Sequence, residues 1–186
     1  IRSAGISRDG RYLSTSFSRI EGSDIVYASE IMPVEGGAPV SVAEATGWEN
    51  LTHWSPTSNT LAFIATGPRF SDPDSLMVIN ADGTGRRLVT TEVPSIPDDS
   101  DLWRWNSDGS TLIYVDYINP RPASELRSVA VGSGSQTVVH ATSGNTSPFY
   151  AVSTPSGYFV VLINADLDIR NTASSIALIA SPGASP

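Results

Sequence analysis

Two short acidic stretches carry the residue types from which a cation site could be built. "DDSD" holds Asp98, Asp99 and Asp101, and "DLDIRN" holds Asp166 and Asp168 ahead of Arg170. Carboxylates two residues apart are spaced as in calcium loops. Calcium takes about six to eight oxygens, and an EF-hand loop needs a Gly at its sixth position and a closing Glu at its twelfth. Neither stretch has that pattern. Both are expected as solvated acidic loops without a cofactor, with calcium the lesser alternative.

Four arginines, Arg19, Arg69, Arg121 and Arg170, stand in "SRI", "PRF", "PRP" and "IRN". Together they could grip a carboxylate, each charge-assisted bond contributing about 1.5–3 kcal/mol. Alternatively, each neutralises the acids of its own loop. His53 and His140 are the only histidines, and neither has a second histidine at ligand spacing. Serine is abundant, but no G-x-S-x-G elbow is present, so a nucleophile–histidine–acid set cannot be assembled. The chain is expected to be non-enzymatic.

The stretch "INADGTGRRLV", Ile79 to Val89, has the glycines of a phosphate loop. A phosphate loop must lead into a helix whose free amides face the anion. Here "RRLVTTE" follows, a strand, so Asp82-Gly83 reads as a hairpin turn.

Composition narrows the partners. The chain has 186 residues, 11 basic and all arginine, against 19 acidic, a net charge of −8. A polyanion would be repelled, which excludes nucleic acid as the expected partner. There is no cysteine, so no disulfide and no thiolate metal site. No apolar run reaches the roughly 18–20 residues of a membrane span. The N-terminus lacks both Met and signal-peptide architecture, suggesting a processed or excerpted chain, and "SPGASP" reads as the start of a linker.

What positions these residues is a repeat. "ISRDGRYLSTSF", "WSPTSNTLAFIA", "WNSDGSTLIYVD" and "STPSGYFVVLIN" align on a turn at Gly10, Ser58, Gly109 and Gly157. Trp54 and Trp105 precede the turn in the middle units, and Ile6 and Ser153 take that place in the end units. Each unit has a short strand, a strongly apolar strand, a variable loop, a second apolar strand, and a small-residue turn; an outer strand closes the first three units. Apolar residues at nearly every position imply burial on both faces. A four-stranded antiparallel unit of this length, covered on both faces, is a propeller blade. The expected fold is all-β, with about four blades over residues 1–46, 47–98, 99–145 and 146–181. The last blade lacks its outermost strand, and 182–186 form a tail. Trp54, Trp105 and Phe63 fall on repeat positions and are expected in the core.

"HWSPTSNTLAFIA" followed by "LMVINADGTGRRLVT" resembles the TolB-type, WD-repeat-like β-propeller motif. In that family a tryptophan and a Ser-Pro-Asp-Gly turn precede an Ile-Ala-Phe strand, then Asn-x-Asp-Gly and Arg-x-Leu-Thr. The resemblance implies a periplasmic, cell-surface or secreted location and protein interaction. Similar propellers also accompany prolyl oligopeptidase-type hydrolase domains. Such propellers usually have six or more blades, so further blades or self-association are expected to complete a ring.

In such a blade, tight turns lie on one face and the long connections on the other. The long ones here are "SRIEGSD", "ATGWEN", "GPRFSDPD", "EVPSIPDDSD", "INPRPASE" and "NADLDIRNTAS". Binding tends to reside on such loops. They hold twelve acids (Glu21, Asp24, Glu49, Asp72, Asp74, Glu92, Asp98, Asp99, Asp101, Glu125, Asp166 and Asp168) against the four arginines. That difference equals the whole net charge, so one acidic face is expected to bind a protein or peptide, preferably cationic. Trp48 and Phe70 fall in these loops, where exposed aromatics often anchor partners. A self-associating structural protein is a further alternative. Asn50 and Asn145 begin glycosylation acceptors, usable only after export in a glycosylating organism.

Overall fold

The computed structural model describes residues 3–46, 52–65, 74–93, 103–117, 124–141, 146–154, 157–164 and 175–179. Its side-chain detail covers 4–44, 52–65, 74–91, 103–116 and 125–141. Every regular element among them is a β-strand. The first sheet contains β1 (Ser3–Ile6), β2 (Tyr12–Glu21), β3 (Asp24–Pro33) and β4 (Val40–Thr46). The second contains β5 (Thr52–Trp54), β6 (Thr60–Ala65), β7 (Asp74–Asn80) and β8 (Arg87–Val93). The third contains β9 (Trp103–Trp105), β10 (Thr111–Tyr117), β11 (Ser124–Ala130) and β12 (Gln136–Ala141). The fourth has three described strands, β13 (Thr146–Thr154), β14 (Gly157–Asn164) and β15 (Ser175–Ile179). Strands follow chain order within each sheet, and all pairs are antiparallel. This is a partial propeller of about four blades.

The chain divides into two units, 1–98 and 99–186, each described here on its own terms. In the first, the opening two sheets share a core. Ile31, Val42 and Ala43 pack with Leu61, Phe63 and Ile79, and Tyr12, Val40, Trp54 and Met77 close around them. Fully burying a side chain such as Phe63 stabilises the fold by about 1.5–3 kcal/mol. Trp54 lies against the backbone of β1, where a Cβ on Gly5 would stand 3.1 Å from the indole Cδ1. No larger residue fits there without displacing the indole. Ala62 and Ile64 point the opposite way from Leu61 and Phe63, and all four are buried. This is the two-sided burial that an unbroken apolar run requires.

Turn chemistry sets the strand ends. Gly10 takes a φ of 73° and donates its N–H to the Ser7 carbonyl at 3.0 Å. Gly109 repeats this, with a φ of 71° and a bond of 3.1 Å to the Asn106 carbonyl. Positive φ is costly for residues with a Cβ, so glycine recurs at this place. In "INADGTGRRLV" the chain reverses through Asn80–Thr84, and β8 follows as a strand. Gly83 has a φ of 85°, and a Cβ there would stand 2.9 Å from Val40 Cγ1. That glycine is therefore required by its own backbone and by the neighbouring sheet. The pairing of the outermost strand with its inner neighbour is irregular in the first three sheets, with breaks at Ser29/Glu30, Leu76/Met77 and Leu126/Arg127.

Candidate functional site

In each of the first three sheets, one end carries the tight turns and the other carries the connection between the second and third strands. At the connection end of the first sheet, "SRIEGSD" is not the irregular loop expected. The ladder runs from Tyr12↔Pro33 without interruption to Glu21↔Asp24, leaving only Gly22 and Ser23 to turn. Gly22 has a φ of 63°, at the position where a two-residue II′ hairpin calls for glycine. Arg19 is accordingly a strand residue. Its Nε donates to Glu21 Oε1 at 2.6 Å and its Nη2 lies 2.8 Å from Glu44 Oε1 on β4. Hydrogen bonds from Arg19 to Glu21, then to Glu44, push its pKa further above the usual arginine value. The group faces solvent, so screening keeps its stability contribution small.

The third sheet has a comparable but less exposed arrangement. Asp116 and Glu125 are direct cross-strand partners, as are Tyr114 and Arg127. Arg127 bridges the two carboxylates, with Nε 3.1 Å from Asp116 Oδ2 and Nη2 2.7 Å from Glu125 Oε2. Gln136 Oε1 accepts from the Tyr114 hydroxyl at 2.7 Å and from Arg127 Nη1 at 3.4 Å. Burial raises the Asp116 pKa; Arg127 opposes this and the Glu125 charge adds to it. Burial works against the Arg127 charge, but the hydrogen bond and charge of Glu125, then the charge of Asp116, leave its pKa raised. The two groups respond differently because the closest contacts of Arg127 go to Glu125. Asp116 therefore loses more hydration than the ion pair returns.

Of the twelve acids counted in the long connections, Glu21, Asp24, Asp74, Glu92 and Glu125 lie within strands, Glu92 at the end of the expected strand "RRLVTTE". Backbone pairing carries each ladder past the point where apolar residues stop. All five nevertheless sit at the connection end of their own sheets.

The turn end is built differently. Asp9 Oδ1 accepts from Ser7 Oγ at 2.8 Å and from Arg11 N at 3.0 Å. Its other oxygen accepts from Asn59 Nδ2 of the second sheet's turn at 2.7 Å. Asp82 accepts from Thr84 Oγ1 at 2.7 Å and from Thr84 N at 2.9 Å, and Asp108 accepts from Ser110 N at 2.7 Å. These bonds favour the ionised form. The leading cause is the backbone N–H of Arg11 for Asp9, the Thr84 hydroxyl for Asp82 and the Ser110 hydroxyl for Asp108. All three pKa values are lowered. Such acids shape the turns that carry them.

Of the candidate binding residues named from sequence, Arg19 is described. Trp48, Arg69, Phe70, Asp98, Asp99, Asp101, Arg121, Asp166, Asp168 and Arg170 lie outside the described residues, as do Asn50 and Asn145. Trp105 and Phe63 are buried and Trp54 packs against the core. Trp103 is buried in β9. His53 lies in β5 and His140 in β12, where burial lowers the His140 pKa. Among the described residues no group of three His, Cys, Asp or Glu stands together as a metal site, and no helix is long and apolar enough to cross a membrane. The Arg127 cluster was missed from sequence. Its signal is the alternation Tyr114-x-Asp116 and Glu125-x-Arg127, which puts each pair on one face of its strand.

No protein-family model matches the chain, and no curated protein matches it in sequence. Solved structures do. A putative TolB from Agrobacterium tumefaciens superposes with a TM-score of 0.59 at 16% identity, over 96% of this chain and 66% of that one. The β-propeller domain of the Trilobed protease from Pyrococcus furiosus, described as having an open velcro topology, gives 0.61 at 12% identity, over 90% and 50%. An oligogalacturonate lyase in complex with manganese gives 0.60 at 16% identity, over 95% and 52%. At these identities the likeness establishes a propeller-type fold. The chain spans between 50% and 66% of the length of these three structures.

Proposed function

We propose that this chain is part of a TolB-like propeller whose connection end binds a cationic protein or peptide, without catalysis, in the periplasm or at the cell surface. The observation that carries this reading is the division of labour between the two ends of the sheets. At the turn end, Asp9, Asp82 and Asp108 are consumed by their own turns. At the connection end of the first sheet, Glu21 and Glu44 share Arg19, and they and Asp24 are exposed. Negative charge left over on a rigid scaffold raises the local concentration of a cationic partner and speeds encounter. The TolB-type motif and the superposition on a putative TolB support the family and the location.

A triple substitution, Asp98→Asn, Asp99→Asn and Asp101→Asn, tests the reading by fluorescence anisotropy with an arginine octapeptide. Affinity should fall several-fold at low salt, and the difference should shrink as salt screens both proteins. Equal affinities at low salt would sink the acidic-end idea.

A second reading draws on the Trilobed protease propeller, and on a superposition of TM-score 0.55 with an acylaminoacyl peptidase from Pyrococcus horikoshii. In it, the chain is the propeller portion of a peptidase. A G-x-S-x-G hydrolase domain encoded in the same gene would favour this reading over the first.

A further inference from the structure

The second strand of the first sheet inverts the usual order of burial. Ser14, Thr15 and Ser16 are buried in its middle, and Ser16 and Ser29 satisfy each other's hydroxyls at 2.9 Å. Ile20, near the strand's end, is 80% exposed, and its cross-strand partner Ile25 is 51% exposed. The hairpin that carries them is long. β2 and β3 have 10 residues each. The isoleucines stand beside a two-residue turn that needs no apolar residue.

We propose that Ile20 and Ile25 form an apolar anchor for an extended cationic segment that carries apolar side chains. The charge of the tip selects this occupant. Glu21 and Asp24 adjoin the pair along the strands, Glu44 is joined to the same end through Arg19, and in the ion pairs described there Arg19 is the cation. An anionic lipid surface or a nucleic acid would be repelled there, whereas a basic strand would bring charge to the rim and an apolar side chain to the centre. Alternate residues of an extended peptide face opposite sides, so a basic–apolar alternation presents its apolar side chains along one edge. This inference rests on the connection-end reading above and names the partner's chemistry more closely.

Two labelled octapeptides of equal charge separate the possibilities, one alternating Arg with Leu and one alternating Arg with Ser. The Arg-Leu peptide should bind at least about tenfold more tightly, a difference of about 1.4 kcal/mol. In the double variant Ile20→Thr, Ile25→Thr that preference should vanish, while affinity for the Arg-Ser peptide stays at the wild-type value. Threonine keeps the β-branch, so the hairpin is retained, and circular dichroism of the variant checks that it is. Equal wild-type affinities for the two peptides, or a preference that survives the double substitution, would overturn the anchor while leaving the acidic-end reading intact. Failure of both peptides to bind at low salt would overturn both.

Discussion

Asp108 and Asp116 stand toward opposite ends of one sheet, the first in the turn before β10 and the second near that strand's far end. The hydroxyl and N–H of Ser110 hold Asp108 ionised, and its pKa is lowered. Burial and the facing Glu125 push Asp116 toward its protonated form despite Arg127. The same residue type, eight positions on, thus serves as a turn brace in one place and sits under electrostatic stress in the other. Asp108, like Asp9 and Asp82, is held by hydroxyl and backbone N–H donors of its own turn. At the connection end, Asp116 and Glu125 share Arg127.

The largest test of this contrast removes that arginine. Arg127→Met leaves Asp116 and Glu125 opposed in a half-buried setting, where like charges directly across a ladder repel. The folded state should lose about 2 kcal/mol, read as a lower urea midpoint. Adding Asp116→Asn should recover much of that loss, because the remaining carboxylate then has no like charge opposite it.

A subtler test uses acid, and the two ends should answer with opposite signs. Asp108 binds its proton less tightly folded than unfolded. Its contribution is complete above 3.8, its ordinary value, and disappears as pH falls through the lowered one. Asp116 binds its proton more tightly when folded. Its contribution is present below 3.8 and is lost as pH rises through the raised value. Thermal melts from about pH 2.5 to 7 should show Asp116→Asn gaining on the wild type as pH rises above 3.8. Asp108→Asn should lose ground as pH rises toward 3.8. Parallel curves for both variants would break the contrast.

The smallest expected effect is at Arg19. It pairs with Glu21 and Glu44 much as Arg127 pairs with its acids, but in the open. Arg19→Met should leave the urea midpoint where it was. A clear drop would mean that the exposed cluster braces the fold as the half-buried one does.

The fold was legible because its signals are local. Gly10 and Gly109 mark turns that only positive φ can make, and "LAFIA" could be apolar throughout only if both faces were covered. The hairpin in "INADGTGRRLV" was legible for the same reason. The connection ends were harder to read. Hydrophobicity predicts a strand that ends at Phe17, yet the ladder runs on through Arg19 and Glu21 because backbone bonds do not depend on side-chain polarity. The Arg127 cluster needs cross-strand register, which no single strand encodes, and a register break adjoins it at Leu126/Arg127. Arg19 was named from sequence as a loop residue, and its partner Glu44 comes from a strand two places away in the sheet.

The meeting of Gly5 and Trp54 has a consequence for how the first unit opens. The strand that holds Gly5, described over Ser3–Ile6, pairs within its own sheet with β2. The indole covering it belongs to the following sheet, and Asn59 of that sheet grips Asp9 just beyond the strand's end. The amides of β1 should therefore exchange with solvent when the second sheet lets go rather than when the first one does. Cooperativity in this unit thus runs backward along the chain, with a later sheet governing when the earliest strand is released.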